Sequence, residues 1–299
     1  MNWLFPALLS PAVYSIVNFV DKYIVCGRGI NYRGVPIYSA IVATVFGLFI
    51  WIYNGYPLLN FLDTILVLLS GSLSLWASAL YFKAISRDTT SKIIIMLQIV
   101  PVMVLGLSVV FLNESITPRQ LIGFIVIMLS AVGLNLSLSS EDHGSFWGST
   151  LGLILISDFM WAISSVVFKF VVGHHTFAEL IAYQNWGYTI GGLVLYYFVP
   201  GTRIAFQEGL ASSRGLIMIL ILLNEGLYVV GKLLGSWALS LGPASLVSVV
   251  GSTQVFFGIL YGWLLTLIRP SVFKEDISSS GIRRELIWAI AMLFGVWLV

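Results

Sequence analysis

Three ionisable side chains, Asp158, Glu225 and Lys232, stand deep inside long apolar runs. A charge at the centre of a membrane helix costs at least about 2.5–3.5 kcal/mol on insertion scales, so it faces a cavity or a partner. The chemistry open to such groups is charge recognition and proton exchange. A lysine can hold an anion, and a carboxylate can take an ammonium group or a proton. Glu225, Tyr228, Lys232 and Ser236 share one helical stripe, with Glu225 and Lys232 about 10.5 Å apart in rise. Asp158, Trp161, Ser165 and Lys169 share another, and Pro11, Tyr14, Asn18 and Lys22 a third. Neutral polar groups join them in other runs: Tyr38, Gln98, Tyr183, Gln184, Asn185 and Gln254. The expected roles are substrate contact for Tyr14, Asn18, Tyr38, Gln98, Trp161, Ser165, Tyr183, Gln184, Asn185, Tyr228, Lys232 and Gln254, and coupling for Asp158 and Glu225. The competing reading is that these groups only join helices, at roughly 0.6 kcal/mol per hydrogen bond. Asp21, Lys22, Lys169 and Glu179 lie within a turn or two of a helix end and can reach water.

Other chemistries find no residues. Cys26 is the only cysteine, so there is no internal disulfide and no cysteine-based metal site. His143, His174 and His175 fall in loops, with no Cys or carboxylate at ligand spacing, so the expectation is a solvated loop and no metal. No Gly-x-Ser-x-Gly elbow and no phosphate-binding Gly-x-x-x-x-Gly-Lys-Ser/Thr loop occurs. The expectation is a protein that is not an enzyme and needs no cofactor. A net charge of +2 gives no footprint for nucleic acid.

The elements that must position these residues follow from composition. Hydrophobic residues make up 59% of the 299, and charged residues only 9%. A soluble chain of this size cannot hide that much apolar surface. Ten runs approach the length of a membrane helix: 3–25, 36–53, 64–82, 93–112, 121–138, 149–172, 178–198, 216–241, 245–268 and 286–299. The runs are continuous rather than alternating, which favours helices over barrel strands. The last run is short, at about 21 Å, so its helix is expected to begin near Gly281. The first lacks a basic leader and a small-residue cleavage site, and reads as a span rather than a signal. Trp3, Trp51 and Trp147 near span ends suit interfacial anchoring.

Loop charge sets an orientation. Arg28, Arg33, Lys83, Arg87, Lys92, Arg203, Arg214, Arg269, Lys274, Arg283 and Arg284 fall in alternate loops, whereas the opposite loops hold only Arg119. The basic loops are expected in the cytoplasm and both termini outside. The loop between the fifth and sixth spans is acidic, with Glu141 and Asp142.

The chain also reads as two copies. At an offset of 147, Lys22-Tyr23-Ile24-Val25 falls on Lys169-Phe170-Val171-Val172. The offset drifts to 145 at Tyr38 and Tyr183, to 154 at Ala84 and Ala238, and to 156 at Gln98 and Gln254. Each copy holds five spans, and an odd number inserts the second copy upside down. The expected architecture is all-α integral membrane, ten transmembrane helices as two inverted five-helix repeats, residues 1–140 and 146–299. Inverted repeats suit alternating access, with a substrate site near the midplane. The partners of Glu225, Tyr228 and Lys232 in the first copy are Gly71, Ser74 and Ser78, so the polarity of the site is asymmetric.

Asn113-Glu114-Ser115-Ile116-Thr117, then Gln120 and Gly123, together with Tyr81-Phe82-Lys83-Ala84, Ala238 to Ala244 and Pro101, resemble the EamA-like transporters of the drug/metabolite transporter superfamily. The resemblance covers essentially the whole chain. It implies two five-helix repeats and gradient-driven transport or export of small polar metabolites, such as amino acids. The chain departs from the pattern in its second copy, which lacks the Glu-x-x-Thr ending and carries Phe257 where the first has Pro101. The resemblance also implies cytoplasmic termini, against the loop charges. The expected function is a secondary active transporter working by alternating access with possible proton coupling, in the inner or plasma membrane. The expected partners are a small-molecule substrate and the lipid bilayer. The alternative is a flippase for a lipid-linked carrier, or a membrane assembly partner without transport.

Overall fold

The computed structural model describes residues 3–87, 93, 96–138, 149–213, 215–268 and 279–299. Among them all regular structure is helical. The elements are α1 (Leu4–Lys22, continued by a π-helical turn, Tyr23–Gly27), α2 (Val35–Tyr53), α3 (Phe61–Ile85), α4 (Val100–Leu112), α5 (Pro118–Leu138), α6 (Ser149–Val172), α7 (Phe177–Phe198), α8 (Thr202–Ser212), α9 (Leu216–Leu241), α10 (Ala244–Gly251), α11 (Gln254–Ile268) and α12 (Ser279–Leu298). Lys92, Glu141, Asp142, His143, Trp147, Arg214, Arg269 and Lys274 lie outside the described residues.

Ten spans are expected from sequence. Among the described residues six segments are long and apolar enough to cross a membrane: Leu4–Gly27, Val35–Tyr53, Phe61–Ile85, Thr150–Val172, Leu216–Leu241 and Ala244–Leu264. Val100–Leu112, Pro118–Gly133 and Leu286–Leu298 are apolar but shorter. The 22-residue α7 is long enough but carries Glu179, Gln184 and Asn185, which lower its apolarity.

Two expected spans are interrupted. In the fourth, Gln98 and Ile99 form a turn before α4, whose first turn carries Pro101. Proline has no N–H to donate and suits a helix start. The ninth span divides into α10 and α11 at Ser252-Thr253. There the backbone bonds shorten to i→i−3, Thr253 N to Val250 O at 3.0 Å, and the Thr253 hydroxyl donates to the same carbonyl at 2.7 Å.

The Asn113–Gln120 motif makes a corner. Asn113 ends α4 in the left-handed region, at φ 52°. Thr117 and Gln120 start α5 by exchanging hydrogen bonds, Gln120 N to Thr117 Oγ1 at 3.3 Å and Thr117 N to Gln120 Oε1 at 3.1 Å. Glu114 reaches the other half of the chain. Its carboxylate accepts from Ala244 N at 2.6 Å and from Ser245 N at 3.1 Å, capping α10.

Packing pairs α3 with both α6 and α7, α1 with α9, α2 with α7 and α5 with α12. Small residues allow close approach. A Cβ on Gly71 would meet the Gln184 carbonyl, and one on Gly187 the Leu68 carbonyl. Three loop-edge expectations change. His175, expected in a solvated loop, places Nε2 2.7 Å from Asp63 Oδ2. Glu179 forms a capping box with Thr176 at the start of α7. Lys169 donates to the Leu239 carbonyl at 2.8 Å, near the C-terminus of α9.

Candidate functional site

A cavity of about 480 Å³ opens between α1, α3, α6, α7, α9 and the two interrupted helices. Its polar lining divides into two ends and a middle.

At one end stands Lys232, buried near the centre of α9. Its ammonium group donates to Asn185 Oδ1 and lies 3.9 Å from the centroid of the Tyr188 ring. Among the described residues no carboxylate lies within ion-pair distance of it. Asn185 is itself held, donating to the Ile181 carbonyl at 2.8 Å. The lysine is therefore oriented but not neutralised.

At the other end, about two turns along the same stripe of α9, stand two carboxylates. Asp21 of α1 and Glu225 of α9 are both buried, at 5% and 3% exposure, and lie within electrostatic reach of each other. Asn224 Nδ2 donates to Asp21 Oδ1 at 2.7 Å, and Ser39 of α2 also lines this end. Asn224 Oδ1 is buried without a hydrogen-bond partner among the described residues.

Between the ends lies a tyrosine wall. The Tyr188 and Tyr228 hydroxyls are 2.9 Å apart, Ser78 Oγ lies 3.4 Å from the Tyr228 hydroxyl, and the Tyr14 and Tyr228 rings are 5.6 Å apart. Gln184 accepts from Ser236 at 3.1 Å and donates to Ser70 at 3.3 Å. Ser15 donates to the Gln254 carbonyl at 2.7 Å, fixing α1 to the start of α11.

Of the expected site residues, Tyr14, Asn18, Gln98, Trp161, Ser165, Gln184, Glu225, Tyr228, Lys232 and Gln254 line this cavity. Asn185 stands behind it, as the partner of Lys232. Tyr38, Tyr183 and Asp158 are not among the lining residues. Tyr38 packs its ring 5.0 Å from Phe206 of α8, and its hydroxyl would sit 2.8 Å from a Cβ on Gly209. That cover is an 11-residue helix in a loop that the span pattern leaves unstructured. Tyr183 points to the loop before α3, donating to the Pro57 carbonyl at 2.9 Å. Asp158 is wholly buried, and both its carboxylate oxygens lack a hydrogen-bond partner among the described residues.

Asp21, Ser39, Tyr188 and Asn224 complete the site beyond the residues singled out in the sequence. Spacing carried the signal for two of them. Asp21 follows Tyr14 and Asn18 at i+7 and i+3, and Tyr188 follows Gln184 at i+4.

The model of the EamA-like transporter family matches residues 1–136. A crystal structure of 13% sequence identity superposes with a TM-score of 0.71, covering 99% of this chain and 94% of that one. At this identity the likeness concerns the fold alone. No curated protein matches the chain. With the apolar spans, the family match makes this a multi-pass integral membrane protein.

Proposed function

We propose, from the premise that residues 1–136 are of the EamA-like, drug/metabolite transporter kind, that the chain is a secondary active transporter of small polar metabolites. Its route is the cavity, and its motion is an alternating exposure of that cavity by two inverted halves. The observation that carries this reading is the lining itself. A lysine without a carboxylate partner and two buried carboxylates share one space of about 480 Å³. Buried ionisable groups are costly in a membrane protein, and a structural role would leave them paired.

Packing supports the inverted arrangement. With α1 exchanged for α6 and α3 for α9, the α3–α6 contact becomes the α9–α1 contact and α2–α7 maps onto itself, while the close α3–α7 contact has a much looser counterpart in α9–α2. The interruptions before α4 and between α10 and α11 fall at corresponding places in the two halves, and both adjoin the cavity. Interrupted helices of this kind commonly frame transporter binding sites. In this reading Lys232 recognises an anionic group, Gln98 and Gln254 contact the substrate, and Glu225 or Asp158 carries the coupling proton. The basic loops lie in the cytoplasm.

Flux through proteoliposomes, with and without a pH gradient, tests this. The expected result is gradient-dependent movement of some member of a broad metabolite panel. Full pH-coupled flux in the double variant Glu225→Gln, Asp158→Asn would overturn the coupling role. A wild-type protein that moves nothing across the panel would overturn the transport reading.

A further inference from the structure

The two ends of the cavity are complementary and separate. Lys232 has three N–H donors, and among the described residues its partners are one amide oxygen and one ring face. Among those residues no further acceptor meets it at that end. At the other end the excess is of acceptors. Asp21 and Glu225 together present four carboxylate oxygens, and among the described residues their hydrogen-bond donor is Asn224. Asn224 Oδ1 adds an acceptor that is buried and unpartnered among the described residues. Donors are therefore missing beside the carboxylates, and an acceptor beside the lysine.

Glu225 and Lys232 are seven residues apart on α9, which is about 10.5 Å of rise. Taking the two charges to keep the spacing of their backbone positions, and allowing about 2.8 Å for a charge-assisted bond at one end or at both, the charges of a bridging ligand stand about 5–8 Å apart. The surface between the ends is aromatic. The Tyr188 and Tyr228 ring centroids are 6.3 Å apart, and the Tyr14 ring lies 5.6 Å from that of Tyr228. A short methylene chain suits that wall better than a polar one.

We propose that the cavity binds a dipolar ion end to end, its ammonium group held by Asp21, Glu225 and Asn224 and its carboxylate by Lys232. This rests on the transport reading and narrows it to a substrate class: aliphatic amino acids with a terminal ammonium group several carbons from the carboxylate. An α-amino acid with an uncharged side chain carries both charges on one carbon and satisfies only one end.

The test is thermal stabilisation of the purified full-length protein in detergent by a length series, from glycine through 4-aminobutanoate and 6-aminohexanoate to 8-aminooctanoate. Hexylamine and hexanoate serve as single-charge controls. The expected result is an optimum at 4-aminobutanoate to 6-aminohexanoate, with half-maximal stabilisation at a concentration about tenfold or more below that for glycine. Lys232→Gln should erase the preference for 6-aminohexanoate over hexylamine, and Asp21→Asn with Glu225→Gln its preference over hexanoate. The wild-type length series stands without any variant. A flat response to length, or an optimum that survives Lys232→Gln in folded protein, overturns the proposal. If proteoliposomes still move other metabolites while the length series is flat, the transport reading stands and only the dipolar site falls. If no metabolite moves, the transport reading falls first.

Discussion

The α3–α6 interface and the α1–α9 interface, which the proposed repeat would pair with each other, use polar groups differently. At an offset of 154, Ser70, Gly71, Ser74 and Ser78 of α3 fall on Asn224, Glu225, Tyr228 and Lys232 of α9. Around α3 the hydroxyls bond one another and the backbone. Ser74 Oγ lies 2.7 Å from Ser164 Oγ, Ser164 donates to the Ser70 carbonyl at 2.8 Å, and Ser157 to the Ala77 carbonyl at 2.8 Å. Around α9 the corresponding side chains are larger and charged, and they turn to the cavity. Both interfaces border the cavity, but the serines of α3 and α6 are bonded mainly to one another and to backbone, whereas α9 presents the charged groups Glu225 and Lys232. If the proposed repeat holds, the difference lies in a few positions of α9, where α3 keeps small residues that fasten it to α6 and α7.

The sharpest way to break that comparison is to place the same methyl group on both sides. A Cβ on Gly71 meets backbone, the Gln184 carbonyl and Gly187 Cα at 2.9 Å, and neither can move without shifting α7. Gly71→Ala is expected to cost about 3 kcal/mol or more, lowering Tm by about 6–12 °C or preventing folding. A fluorescence-detected melting curve measures this. If Gly71→Ala melts like wild type, the α3 side is not the rigid one.

The second contrast separates stability from transport. Lys232→Met removes a buried charge, which favours folding, but leaves Asn185 Oδ1 without its donor, which opposes it. Those effects are of similar size, so Tm should move by less than about 4 °C. Flux of a carboxylate-bearing substrate should fall at least tenfold, about 1.4 kcal/mol or more of lost recognition. A large drop in Tm with flux retained per folded molecule would make Lys232 a fastener, like its counterpart Ser78.

How much of this was legible from sequence follows from the same division. Glu225, Lys232 and Tyr228 stood out because charges in apolar runs are rare and the stripe is regular. Asp21 was legible as a carboxylate but not as a buried one, because the run ends near it. The π-helical turn Tyr23–Gly27 extends α1 past that end and buries Ile24 and Val25, leaving Asp21 inside. Tyr38 looked like a cavity residue because nothing in the pattern announces α8, whose apolar content is too small to read as a span. The Asn113–Gln120 motif was visible as a resemblance. Its physical content is a left-handed stop, a capping box and a carboxylate that caps α10 across the chain, and this needs the fold to be seen.

A third contrast returns to glycine. Gly231 of α9 also sits at a close approach, but its neighbour is the Tyr14 ring, 2.9 Å from where an alanine methyl would stand, and a ring can turn where a backbone cannot. Gly231→Ala also gains up to about 1 kcal/mol of helix propensity. Its stability should stay within about 1 kcal/mol of wild type, because that gain offsets the cost of turning the ring. The displaced Tyr14 would enter the cavity and reduce flux several-fold, read in proteoliposomes. Equal destabilisation by Gly71→Ala and Gly231→Ala would show that α9 approaches α1 as rigidly as α3 approaches α7.

The smallest expected effect tests how fully the α3 side satisfies itself. Ser164 sits between Ser70 and Ser74 and bonds the Ser70 carbonyl, so Ser164→Ala removes one hydroxyl from a closed group. The remaining serines keep other acceptors: Ser70 Oγ can still donate to the Ser164 carbonyl at 3.0 Å. Because that carbonyl belongs to the backbone, the substitution leaves it in place. The loss should therefore be about 0.6–1 kcal/mol, the scale of a single hydrogen bond between membrane helices, and Tm should fall by only about 2–4 °C. Substrate-dependent flux should remain near wild type even though Ser164 borders the cavity. A Ser164→Ala protein of normal stability that loses substrate recognition would show that the serines of α3 and α6 also serve the ligand, and that the two interfaces differ in degree rather than in kind.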